Sequence, residues 1–260
     1  MTAPTVPPPD PWAALRAHTP ARIALGRTGA SLPSAEVLRF AAAHAQARDA
    51  VHQALDSDAL TTALQADGWA VHPITSAAAA RATYLRRPDL GRRLAPASAT
   101  ALQALALPAP DVALVLADGL SAAAAQQHGV ELLRHLRTAL AGALRLSPVF
   151  LATHARVALG DEVGELVGAR AVLVLLGERP GLSAPDSLGA YLTFAPRLGR
   201  SDAERNCVSN IRPAGLAPEH AAARLAWLVQ EALRLRLTGV ALKDGSATPL
   251  LAGGAGGAEG

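Results

Sequence analysis

The chain has 260 residues, 50% of them hydrophobic and 17% charged, the balance of a globular protein with enough length for one large core or two smaller ones. Its one cysteine, Cys207, excludes an internal disulfide and a Cys-x-x-Cys metal or redox pair, and no apolar run reaches the roughly 18 to 20 residues that a membrane span needs. The formal charge of +3 rests almost wholly on arginine, with Lys243 the one lysine, and the few aromatic residues are scattered, so the clustered basic face and stacking platforms of a nucleic-acid binder are missing.

In chain order, residues 1–20 are rich in proline and read as a flexible N-terminal arm, with Trp12, Leu15 and Ile23 able to dock on a partner. The start, Met1 to Pro9, lacks a secretory hydrophobic region, so a cytoplasmic location is expected. From Pro33-Ser34, the apolar positions Val37, Leu38, Ala41, Ala45, Val51 and Leu55 recur at near-helical spacing and predict a helix to about Leu55. A second helix is expected from Ser76 to Leu85, interrupted by Arg86-Arg87-Pro88-Asp89-Leu90-Gly91. Residues 21–105 therefore form a mainly helical region.

The pattern changes after Pro108-Ala109-Pro110. Val112-Ala113-Leu114-Val115-Leu116 is short and wholly apolar, as a buried parallel strand reads, and Asp118-Gly119 ends it. Ser121 can cap a helix through Leu132, Leu133, Leu136 and Leu140. Pro148 to Leu151 and Ala171 to Leu176 supply two more strands, separated by a short helix over Gly160 to Gly168. Residues 177–215 are long and irregular apart from a strand-like Ala190 to Phe194, and long loops in compact domains are usually functional. Pro218 to Leu237 returns to helix, and 246–260 is expected to be a disordered tail. The fold class expected is α/β: a doubly wound, mostly parallel Rossmann-like sheet over residues 106–245, preceded by the helical region.

Ligands of such sheets bind beyond the carboxyl ends of the strands, where loops and helix N-termini converge. Here those ends carry Asp118-Gly119-Leu120-Ser121, Thr153-His154-Ala155-Arg156-Val157 and Gly177-Glu178-Arg179-Pro180, and a site is expected along that edge. The first turn holds only Gly119, so the Gly-x-Gly-x-x-Gly dinucleotide signature is absent, as is a Walker loop. No Gly-x-Ser-x-Gly elbow makes Ser121 or Ser183 a nucleophile, and the eight histidines show no His-Glu-x-x-His pairing for a metal. Binding features are present without a catalytic set. On these residues alone, a stand-alone small-molecule-binding α/β protein remains an alternative.

The runs from Gly177-Glu178-Arg179-Pro180-Gly181-Leu182 to Ala190-Tyr191, and from Asp202-Ala203-Glu204-Arg205-Asn206-Cys207 to Ile211-Arg212, resemble the ethanolamine ammonia-lyase light chain. The likeness extends to Leu25 to Gly29, Tyr84 to Gly91, Ala117 to Ser121 and Arg156 to Asp161, covering about residues 20 to 244. It implies the small subunit of an adenosylcobalamin-dependent lyase that converts ethanolamine to acetaldehyde and ammonia by a radical mechanism, with the cofactor supplying the hard chemistry. It also implies a hetero-oligomer with a large β/α-barrel subunit that holds the substrate, and for some members a place inside a bacterial microcompartment. No catalytic residue and no metal ligand is then expected in this chain.

Carried over motif by motif, the cofactor-binding residues implied are Val157 in Arg-Val-Ala-Leu-Gly-Asp, Glu178 in Gly-Glu-Arg-Pro-Gly-Leu, and Cys207 in Arg-Asn-Cys-Val-Ser-Asn. Glu178 can accept hydrogen bonds from corrin amides, Val157 can cover the apolar macrocycle, and Cys207 is small enough for close approach. Against these roles, Glu178 could pair with Arg179 or Arg205, Val157 could be core, and a lone cysteine is often buried filler. The Asp-x-His-x-x-Gly motif of cobalamin proteins that swap the lower base for histidine is missing, so a base-on cofactor is expected.

Overall fold

Val112–Ala117 is buried at all of its positions, which a strand achieves only when both faces of its sheet are covered. The computed structural model, which describes residues 12–246, supplies that cover. Its elements are α1 (Ala13–Arg16), α2 (Ser34–His52), α3 (Ser57–Ala66), β1 (Val71–Thr75), α4 (Arg81–Arg86), α5 (Pro96–Ala104), β2 (Val112–Ala117), α6 (Ala122–Ala139), β3 (Leu146–Thr153), α7 (Leu159–Leu166), β4 (Ala171–Gly177), β5 (Leu188–Phe194), β6 (Asn206–Ile211) and α8 (Pro218–Leu235). Short 3-10 turns lie at Leu90–Arg92, Asp202–Glu204 and Gly239–Ala241. The first eleven residues of the expected arm, and the expected tail beyond 246, fall outside the described residues.

The six strands form one sheet in the order β1-β3-β2-β4-β5-β6. Strand side chains alternate between faces, and the two cores follow that alternation. Leu114, Leu116, Leu151, Leu173 and Leu175 meet Leu132, Leu136, Leu225 and Val229 of α6 and α8 on one side. Ala113, Val115, Phe150, Val172 and Val174 meet Leu102 of α5 and Leu159 and Val163 of α7 on the other.

The α/β expectation stands in a coarser form, because the sheet is mixed. β1, β3, β2 and β4 pair in parallel, but β5 runs antiparallel to both β4 and β6. The physical reason is the connection between β4 and β5: residues 178–187 contain no helix, whereas a parallel crossover needs about a dozen residues or more, usually helical. Four expected strands are present. The two unforeseen ones, β1 and β6, are the sheet edges, where Pro73 loses no ladder bond and where β6 leaves Cys207, Ser209 and Asn210 exposed.

Ser121 caps α6 as expected, accepting from the Ala124 amide at 3.4 Å. Its hydroxyl also donates to the Pro185 carbonyl at 2.8 Å, tying the cap to the β4–β5 loop. The helix expected over Ser76 to Leu85 is confined to α4, since Ser76 to Ala80 continue the edge of the sheet and its loop.

Candidate functional site

The ends of β2, β3 and β4 meet backbone to backbone. A Cβ on Gly119 would collide with the Gly177 carbonyl, and one on Gly177 with the Ser121 and Asp118 carbonyls, so these turns approach as closely as only glycine allows. Asp118, at the end of β2, is 2% exposed. It accepts from the His154 amide at 2.9 Å, from the Ala155 amide at 3.1 Å and from Arg81 at 3.0 Å. Burial pushes its carboxyl up, against the pull of those donors. The consequence is geometric: a carboxylate at one strand end fixes the turn at the next, the turn that leads into Arg156 and Val157.

His154 sits at that turn in the left-handed region, at φ 56°. Its Nδ1 lies 3.0 Å from the Ala78 carbonyl and its ring stacks 6.0 Å from Tyr84, a structural placement. Tyr84 is fully buried, donates to the Ala155 carbonyl at 2.9 Å, and lies between two guanidinium groups, Arg81 at 5.0 Å and Arg156 at 4.6 Å. Desolvation pushes its phenol up to about 12.

These elements line a cleft of about 830 Å³, open to solvent on one side. Val157, Glu178 and Cys207 all border it, so three residues from three separate stretches of sequence share one rim. Val157 is half-buried and packs on the second core while facing the cleft. Glu178 pairs with neither Arg179 nor Arg205; its Oε2 accepts from the Ser187 hydroxyl and, at 3.2 Å, from the Asn210 amide. Cys207 is exposed and stands opposite Tyr191 across the β5–β6 ladder. Burial pushes its thiol up, and the charge of Glu178 adds to that shift.

Arg156, Tyr191, Asp202 and Arg205 also line the cleft, and none of them stands out from the sequence as a pocket residue. Tyr191 was visible only as part of a strand, and Arg205 only as part of a family motif; neither has a local pattern that signals a pocket. Among the described residues, no group of three His, Cys, Asp or Glu is placed to hold a metal, and no helix is long and apolar enough to cross a membrane.

Comparison with known proteins matches residues 9–243 to the family described as Ethanolamine ammonia-lyase light chain. The "Ethanolamine ammonia-lyase small subunit" of Xanthomonas campestris pv. campestris (strain B100) is 54% identical over 255 residues, covering 96% of this chain and 94% of that protein. The protein of the same name from Bradyrhizobium diazoefficiens is 55% identical over 249 residues, covering 95% of each. That of Pseudomonas syringae pv. tomato is 53% identical over 241 residues, covering 91% of this chain and 84% of the other. On a match that spans nearly the whole chain, this protein belongs to the ethanolamine ammonia-lyase light-chain family.

Proposed function

We propose that the chain is the small subunit of an ethanolamine ammonia-lyase, and that its cleft is one half of an adenosylcobalamin site completed by a large β/α-barrel subunit. The observation that carries this reading is the convergence of Val157, Glu178 and Cys207 on one rim. The residues fit the cofactor's chemistry. Val157, Leu120 and Leu176 offer an apolar wall to a macrocycle, and Glu178 keeps Oε1 free of the bonds that occupy Oε2, so it can accept from a corrin amide. Gly189 packs against that carboxylate, where a Cβ would come within 2.9 Å of Oε1, so the absence of a side chain there leaves the head group its room.

When bound, adenosylcobalamin supplies the radical by breaking its cobalt–carbon bond. The part of this chain is to bind and orient. The ethanolamine pocket belongs, on this reading, to the large subunit, and no residue here is assigned a catalytic role. The parallel strands β1, β3, β2 and β4 with helices on both faces form the Rossmann-like unit of the cofactor domain, 106–245, with the strand β1 contributed by the 21–105 region. With no Asp-x-His-x-x-Gly motif to offer a replacement histidine, this chain would take the cofactor base-on, and the complex would work in the cytoplasm, free or inside a microcompartment.

Co-expression with the large subunit tests the assignment. The assembled complex should release acetaldehyde from ethanolamine with added adenosylcobalamin, and should bind the cofactor far more tightly than the isolated chain does, since half a site leaves much of the ligand solvated. Equal affinity of the two forms would remove the shared-site reading. E178Q should weaken cofactor binding by about tenfold, the scale of one lost charge-assisted hydrogen bond, with the circular dichroism of the fold unchanged.

A further inference from the structure

Arg156 is an unusual arginine for its position. Its guanidinium lines the cleft and covers the Tyr84 ring at 4.6 Å, and its Nε is buried with no acceptor. The backbone on either side is fixed: the Arg156 amide donates to the Gly91 carbonyl at 2.8 Å, and a Cβ on Gly91 would come within 3.0 Å of the Arg156 Cγ. Arg81, on the same tyrosine, spends its charge on Asp118 and the Gly119 carbonyl. Arg205, deeper in the cleft, is neutralised by Asp161, and Arg92 faces Asp202 at 3.7 Å. Arg179 has no bond but is exposed, so water satisfies it. Among the described residues, Arg156 is the half-buried arginine of the cleft with neither a carboxylate nor a hydrogen-bond acceptor: its Nε is buried and unpaired, and its two Nη groups are open to the cleft.

A guanidinium partly desolvated against an aromatic ring and without a counter-charge gains more from an anion that enters the cleft than from water or a neutral carbonyl. Cobalamin carries one anionic group, the phosphodiester of its nucleotide loop. We propose that Arg156 is the cofactor-binding residue that takes this phosphodiester, its planar fork meeting two phosphate oxygens. The inference rests on the cobalamin reading of the cleft. It adds a residue and a specificity: the subunit selects corrinoids that retain the nucleotide loop over those that lack it, by charge as well as by shape.

The test uses the complex of both subunits, with adenosylcobalamin and adenosylcobinamide, which lacks the nucleotide loop and its phosphate, titrated by visible absorption. R156Q should lose on the order of tenfold to a hundredfold in affinity for adenosylcobalamin, R156K should recover part of that loss, and neither should change the affinity for adenosylcobinamide. At saturating adenosylcobalamin, the phosphorus NMR resonance of the bound cofactor should move between wild type and R156Q, a readout that decides the matter even where adenosylcobinamide binds too weakly to titrate. An equal loss for both corrinoids, an unmoved resonance, or an unchanged cofactor affinity with weakened subunit association would each overturn the proposal, the last by giving Arg156 to a carboxylate of the large subunit. Failure of the wild-type complex to bind either corrinoid would instead refute the reading of the cleft.

Discussion

Arg205 grips Asp161 with both arms of its guanidinium, Nη1 to Oδ1 at 2.6 Å and Nη2 to Oδ2 at 2.7 Å, and both side chains are 2% exposed. Asp161 lies in the first turn of α7, just after Val157, and Arg205 lies just before Cys207 in β6. The pair therefore fixes the spacing of two walls of the cleft. Thr193 at 2.9 Å and the Arg200 carbonyl at 3.0 Å accept the second protons of Nη1 and Nη2, and Asp202 accepts from Nε at 3.3 Å, so the buried ions are satisfied on nearly every side.

Removing one partner should be costly. R205M leaves a buried carboxylate unpaired and should destabilise the fold by about 3–5 kcal/mol, while D161L/R205M should regain most of that, because apolar groups in place of a buried pair are often near neutral. The loss should also depend on pH with a definite sign. Burial already pushes the Asp161 carboxyl above its ordinary 3.8 despite Arg205, and without the arginine it must rise further. An acid whose folded pKa is raised carries no penalty below its unfolded value, where both states are protonated, and a growing one as pH climbs toward the folded value. Urea denaturation of R205M should therefore show its smallest deficit near pH 4 and its full deficit at neutral pH. A deficit independent of pH would mean that the carboxylate finds another partner.

Much of this arrangement was legible in the sequence, and the omissions have physical causes. β2 and β4 announce themselves because strands covered on both faces need unbroken apolar runs, and the turns after β2, β3 and β4 stand out as polar residues at the ends of such runs. Edge strands need no such run, which hid Val71–Thr75 and Asn206–Ile211. The direction of β5 was hidden too, since an apolar strand reads alike in either sense and only the helix-free loop before it reverses the chain. Of the site, the strand-end argument alone places Val157 and Glu178 along one edge. The family likeness names Val157, Glu178 and Cys207 as contacts, whereas the isolation of Arg156 shows only once Arg81 and Arg205 are seen to be paired.

Asp118 should act on cofactor binding without facing the cofactor. Its carboxylate holds the two amides that begin the Arg156–Val157 segment, and it does not line the cleft. D118N keeps the size but can accept on one oxygen only, leaving a donor group of Arg81 or an amide buried and unsatisfied, at about 1–3 kcal/mol. We expect a stability loss of that order together with weaker adenosylcobalamin binding by the assembled complex. A variant that loses the stability but binds cofactor as wild type does would show that the turn keeps its shape without the carboxylate.

Cys207 should be reachable but slow to react. The residue is exposed at the cleft, yet burial of the sulfur and the charge of Glu178 push its thiol above the ordinary 9.0, and the thiolate is the nucleophile. Iodoacetamide labelling of the isolated subunit, followed by mass spectrometry, should be slow at neutral pH, rise about tenfold per pH unit below the thiol's pKa, and go on rising past pH 9, where an ordinary cysteine levels off. Glu178 contributes to the shift through its negative charge, so E178Q should speed labelling at a given pH, the direction expected when a neighbouring anion is removed. In the assembled complex, adenosylcobalamin should protect the thiol. Rapid labelling at neutral pH, or labelling that ignores the cofactor, would place the sulfur outside the cleft wall that it shares with Tyr191.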